Sequence, residues 1–127
     1  MKLITVYGSL LEGLGNHGII ADKEQSHKLG EHILEGGFKM ISLGGFPGLI
    51  PDDTVNNKIF VETYEVTDAV YARVERLEGY PSFYGRTAVE TPFGPSAVYT
   101  LPDRYSDRLV PADEDGIINW KKYKYNY

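Results

Sequence analysis

Three observations predict an α+β fold. Val70, Val74 and Leu77 recur at the four- and three-residue spacing of one helical face. Residues 28–66 have the texture of strands punctuated by glycine and proline turns, and residues 83–101 read as two strands around Thr91-Pro92-Phe93-Gly94-Pro95, a hairpin signal. With 127 residues, 42% of them hydrophobic and 24% charged, the chain is expected to form one domain (residues 1–127) with a sizeable core.

Leu3-Ile4-Thr5-Val6-Tyr7 is a β-branched and aromatic run, expected as a first strand with both faces buried, and Gly8-Ser9 ends it. Consecutive backbone N–H groups leaving a buried strand at a glycine can point into one cavity and form a nest suited to a carboxylate; as a turn alone, Tyr7-Gly8-Ser9-Leu10 would carry no function. Gly13-Leu14-Gly15-Asn16-His17-Gly18 satisfies the dinucleotide fingerprint G-x-G-x-x-G, but it begins several residues after the strand ends and the chain beyond reads as strands rather than repeated strand and helix units. The better reading is a glycine-rich loop rimming a pocket, with a short helix over residues 18–25.

Residues 30–34, 38–43 and 58–66 are the next strands. Phe46-Pro47-Gly48 is a tight segment, either a pocket wall or an edge turn. Along 58–66, Phe60, Glu62 and Tyr64 share one face and Val61, Thr63 and Glu65 the other. Glu62 is therefore either an exposed acid or a buried one that needs a partner, and in the second case a further carboxylate for a site. His27 and His32, five apart in a strand region, are expected on opposite faces; with His17 in a loop, the three histidines make no metal set.

The central helix starts at Thr67 or Asp68 as cap and stops at Gly79-Tyr80-Pro81. Glu78 therefore sits in its last turn, where the negative end of the helix dipole and any burial both raise a carboxyl pKa, which is how a general base is poised near neutrality. A glutamate on a solvated helix face is the ordinary alternative. Glu75 lies on a similar azimuth, so periodicity does not separate the two. Strands 83–90 and 96–101 follow. In the last segment, 102–127, Trp120 and Tyr123 are expected to pack on the sheet while Lys121, Lys122 and Lys124 face water.

The formal charge of -5 argues against nucleic acid as a partner. The absence of cysteine excludes disulfides, a thiolate nucleophile and cysteine metal sites. Met1-Lys2 leads straight into a short apolar strand, and nothing approaches transmembrane length, so no membrane association and a cytoplasmic location are expected. Oligomeric state is not readable, and a monomer is the default.

Several spaced motifs, in order across nearly the whole chain, resemble the γ-glutamylcyclotransferase-like proteins, in particular the branch of γ-glutamylamine cyclotransferase and AIG2-like domains. They are Val6-Tyr7-Gly8-Ser9-Leu10, Gly15-Asn16-His17, Gly45-Phe46-Pro47-Gly48, Val61-Glu62-Thr63-Tyr64-Glu65-Val66, Leu77-Glu78-Gly79-Tyr80-Pro81 with Phe83-Tyr84-Gly85-Arg86, and Asn119-Trp120-Lys121-Lys122-Tyr123. The resemblance implies a small mixed β-barrel with short flanking helices and a cavity at one mouth. It implies that the backbone of Tyr7, Gly8, Ser9 and Leu10 grips the α-carboxylate of a γ-glutamyl group, that Glu78 is the general base, and that Tyr84, in the strand after the helix, holds substrate or orients Glu78. Val61 stands where the family usually has glycine, and Glu75 where relatives often carry aspartate.

The implied reaction converts a small γ-glutamyl amine or peptide to 5-oxoproline and a free amine, and it needs no metal, nucleotide or organic cofactor. Two other classes stay open: a module that binds or sequesters a small ligand in the same pocket, and a structural or interaction domain indifferent to Glu78→Gln.

Overall fold

The computed structural model describes residues 1–105 and 108–125. Eight strands form one mixed sheet that curls into a half-barrel: β1 (Lys2–Val6), β2 (Ser26–Gly36), β3 (Phe38–Ser42), β4 (Pro47–Pro51), β5 (Asn57–Val66), β6 (Gly85–Thr91), β7 (Gly94–Thr100) and β8 (Ile117–Ile118). Two helices accompany them, α1 (Asp68–Glu78) and α2 (Trp120–Tyr125), with short 3₁₀ turns at His17–Ile20 and Asp103–Tyr105. The strand order is β2-β5-β1-β7-β4-β3, with β6 paired to β7 and β8 to β5. The pairs β1–β5, β2–β5, β3–β4 and β6–β7 are antiparallel, while β1–β7, β4–β7 and β5–β8 are parallel.

β1 lies inside the sheet, as its apolar run predicts, and Ile4, Thr5 and Val6 are all buried. Its alternation divides the molecule into two layers. Thr5 belongs to a file of polar side chains crossing four strands: His32 Nε2 lies 2.8 Å from Thr63 Oγ1, which lies 2.9 Å from Thr5 Oγ1, which donates to Ser96 Oγ at 2.8 Å. These groups satisfy one another, which allows hydroxyls into the interior. Ile4 and Val6 instead join Val66, Val70, Val74 and Ile20 in the main apolar core.

The curl brings the tip of the β6–β7 hairpin onto β2. Phe93 stands edge-on to His32 at 5.9 Å, and a Cβ on Gly30 would come within 2.8 Å of Phe93 Cζ, so the glycine admits the ring. Beside Gly30 the β2–β5 register slips between Lys28 and Gly30, a bulge at Leu29. This overturns the opposite-face expectation for the histidines: His27 pairs with Glu65 and His32 with Val61, two positions on the same face of β5. The one extra residue cancels the odd spacing.

Four more expectations need correction. The helix expected over 18–25 is a single 3₁₀ turn at His17–Ile20. Two strands went unread, β4 because prolines stand at both its ends, where a strand tolerates them, and β8 because it is two residues long. Tyr84 precedes β6 rather than lying in it. In the tail Trp120 is buried and Tyr123 half exposed against it, but the lysines do more than face water. Lys121 donates to Glu12 O at 2.6 Å, Lys124 to Gly44 O at 2.9 Å, and Lys122 pairs with Asp113 and Glu114. Asn126 and Tyr127, the end of that expected tail, lie outside the described residues. Among the described residues no helix is long and apolar enough to cross a membrane.

Candidate active site

A cavity of about 390 Å³ opens where β1 ends, within the size range of small-molecule sites. The Tyr7-Gly8-Ser9-Leu10 turn forms one side, Gly45-Phe46-Pro47 another, and Leu77 and Glu78 close it from the end of α1 with Phe83 and Tyr84. Thr5, Val6, Asn16 and Tyr99 complete the wall. All six residues singled out in the sequence, Tyr7, Gly8, Ser9, Leu10, Glu78 and Tyr84, thus border one space.

Local sequence fixes how α1 delivers Glu78. The Thr67 hydroxyl caps the start by accepting from the Val70 N–H at 3.3 Å. Gly79 ends the helix in the left-handed region at φ 64°, and the chain then doubles back, with Phe83 N–H donating to Gly79 O at 2.7 Å and Tyr84 N–H to Glu78 O at 3.3 Å. That return places Phe83 and Tyr84 beside the carboxylate.

The two glutamates of the last turns meet different fates. Glu75 binds the Arg86 guanidinium and accepts from Tyr99 OH at 3.1 Å. Glu78 has no hydrogen-bond partner among the described residues, and burial pushes its carboxyl up from 4.5 to about 7. Near neutrality it therefore exists in both forms, able to take a proton and to return one.

The turn after β1 is built for close approach. A Cβ on Gly8 would lie 2.7 Å from Pro47 Cγ and 2.8 Å from Cδ, so only glycine fits beside that proline. Among the described residues none accepts from the N–H of Gly8, Ser9 or Leu10. Ser9 is held from outside, its hydroxyl accepting from Asn16 Nδ2 at 2.9 Å and its carbonyl from Asn16 N–H at 3.0 Å. His17 Nδ1 lies 2.9 Å from Leu10 O and braces the same turn.

The tyrosines stiffen the walls. Tyr7 OH donates to Tyr99 O at 2.6 Å and accepts from Leu49 N–H at 3.2 Å, while Tyr84 OH donates to Pro47 O at 2.6 Å. Burial first, and then the nearby Glu78 charge among lesser causes, raises both phenols above their ordinary pKa, so both stay protonated. Tyr7 has spent its proton and accepts a second bond, which leaves it the work of tying β1 to β7 and β4.

Glu62 stays outside the cavity. It is buried, accepts from Tyr64 OH at 2.8 Å and Glu12 N–H at 3.0 Å, and has Lys28 Nζ at 3.9 Å, so it anchors the glycine loop to β5. The glycine-rich loop expected to rim a pocket does so through Asn16, while Leu77 and Tyr99 were missed as wall residues. Leu77 was disguised by a helical period that reads as core.

Fold and cavity together define a class of small mixed half-barrels with a ligand-sized space at the end of the first strand. The family model described as "Gamma-glutamyl cyclotransferase, AIG2-like" matches residues 4–121, and the chain belongs to that family. A Vibrio cholerae protein bearing the name "Putative gamma-glutamylcyclotransferase" is 32% identical over 103 residues, 81% of this chain and 84% of its own. A Drosophila melanogaster protein of similar name is 32% identical over 87 residues, 65% of this chain and 55% of its own. Among solved structures, an uncharacterized Pyrococcus horikoshii protein matches with a TM-score of 0.77 at 21% identity, covering 99% of this chain and 95% of that one. A mouse AIG2-like protein matches with a TM-score of 0.68 at 24% identity, covering 85% and 84%. At these identities the two structures speak to the fold alone.

Proposed function

We propose that this protein is a γ-glutamyl cyclotransferase that converts a small γ-glutamyl amine or peptide to 5-oxoproline and a free amine, with Glu78 as general base. The observation that carries this reading is that one cavity is bordered by a carboxylate without a hydrogen-bond partner and by three residues whose backbone N–H groups have no acceptor, both among the described residues. A γ-glutamyl group presents the complement to both: an α-carboxylate for the N–H groups of Gly8, Ser9 and Leu10, and an α-ammonium for Glu78.

Anchoring the carboxylate and the amine of one substrate curls it so that the α-nitrogen approaches its own γ-carbonyl, and such intramolecular placement replaces a bimolecular encounter. Glu78 removes a proton from the α-ammonium. The amine then forms a bond to the γ-carbon, closing a five-membered ring; Glu78 returns the proton to the leaving nitrogen as the bond from that carbon to it breaks, and the second proton, shed by the ring nitrogen, passes through Glu78 to the released amine, which departs as an ammonium. The net change is one amide exchanged for another, with no oxidant, reductant or added water consumed. Ser9, whose hydroxyl accepts from Asn16, keeps its own proton for a substrate oxygen.

The test is 5-oxoproline release, followed by mass spectrometry, from a panel of γ-glutamyl amides. Turnover by the parent protein and a loss of about 10²–10⁴-fold in Glu78→Gln are expected. Ligand binding without 5-oxoproline would contradict the reading and leave a binding module in its place.

A further inference from the structure

Resting on the cyclotransferase reading, the apolar side of the cavity carries information about the leaving amine. Its residues are Phe46, Leu77 and Phe83. Phe46 and Leu77 are each 39% exposed, although both border the cavity, and Phe83 stands edge-on to Phe46 at 6.2 Å. Single exposed apolar side chains are ordinary, but three grouped around one opening form a surface that loses water when an apolar group enters.

Charge points the same way. Among the described residues no lysine, arginine or histidine borders the cavity, and Glu78 is the one acid that does. Arg86, the cation that follows the helix in sequence, is committed to Glu75 and lies 4.3 Å over the Tyr80 ring. A leaving amino acid would bring its own carboxylate into a space with no cation and with Glu78 already negative. A leaving diamine would bring a second ammonium with no acid left to receive it, because Glu78 is occupied by the α-amine. Either ion would be desolvated without a partner.

The apolar side is also preformed. Phe46 O accepts from Leu43 N–H at 2.9 Å across the β3–β4 turn, and Lys124 of α2 holds the same turn through Gly44 O. We propose that the leaving group is an apolar primary amine, aliphatic or aromatic, that carries no other charged group and is selected by Phe46, Leu77 and Phe83, and that γ-glutamyl amino acids and γ-glutamyl diamines are poor substrates.

The experiment compares kcat/KM for 5-oxoproline release from γ-glutamyl phenethylamide, γ-glutamyl-alanine and γ-glutamyl-putrescine. The apolar amide is expected to exceed both others by at least about 100-fold. In Phe46→Lys the preference over γ-glutamyl-alanine should fall at least tenfold, because the new ammonium offers the leaving carboxylate a partner; Leu77→Lys serves as a second variant at an equally exposed position. If γ-glutamyl-alanine or γ-glutamyl-putrescine is turned over as well as the phenethylamide, the amine preference is overturned while the cyclotransferase reading stands. If the folded protein releases no 5-oxoproline from any of the three or from the wider panel, both are overturned. Should the variants fail to fold, the ratio measured on the parent protein decides alone.

Discussion

Glu75 and Glu78 stand three positions apart, and their carboxylates occupy opposite chemical situations. Glu75 is neutralised by Arg86 and bonded by Tyr99, whereas Glu78 is recessed at a cavity with burial as the cause of its raised pKa. That difference has a thermodynamic signature. The folded chain holds the Glu78 proton up to about pH 7 and the unfolded chain only to about 4.5, so between those values the folded state binds more protons. The stabilising contribution is therefore complete below the lower value and is lost as pH rises to the upper one, by up to about 3 kcal/mol. Glu78→Gln cannot ionise: urea unfolding should show it more stable than the parent at pH 8 by as much as that, with the difference closing toward pH 4. Equal pH profiles would contradict the burial of this group. Gly8→Ala places a methyl against Pro47 and should cost about 1–3 kcal/mol in unfolding experiments, together with weakened substrate binding. Sequence could name Glu78 and the turn but not separate Glu78 from Glu75, since the choice depends on Arg86 and Tyr99, 11 and 24 residues away.

At the scale of elements, α1 was legible because its signals are local: the Thr67 cap, the period of Val70 and Val74, and the Gly79 stop each act within one turn of chain. α2 was not, because what it does depends on distant partners. Lys121 reaches the carbonyl of Glu12, 109 residues away, and Lys124 that of Gly44, 80 residues away. Glu12 lies in the loop carrying Asn16, and Gly44 in the turn carrying Phe46, so this short helix straps two sides of the cavity. Replacing both lysines by methionine should raise KM about tenfold while leaving kcat and the thermal midpoint little changed, since exposed polar contacts contribute little to global stability. A fall in kcat with KM unchanged would assign α2 some other role. The bulge at Leu29 was similarly hidden, because register is a property of two strands and one sequence run cannot display it.

The whole molecule reads as α+β from its textures, but the closure of the curl rests on pairings that no local pattern announces. Parallel joins of β7 to β1 and β4 rest on single residue pairs, Ile4 with Ala97 and Leu49 with Thr100. The end of the chain contributes to this closure through β8, paired to β5, and through Trp120, which is fully buried. Trp120→Ala should cost about 3–5 kcal/mol in chemical unfolding; a cost below 1 would mean that α2 is not docked as described. The cavity depends in turn on that docking, since both the glycine turn and the apolar wall stand on the half-barrel that α2 helps to close.

The most direct test of the central claim sets Glu78→Gln beside Glu75→Gln in one assay of 5-oxoproline release. Loss of about 10²–10⁴-fold in the first and less than about tenfold in the second is the predicted result. Equal losses, or a larger one at Glu75, would contradict Glu78 as the base.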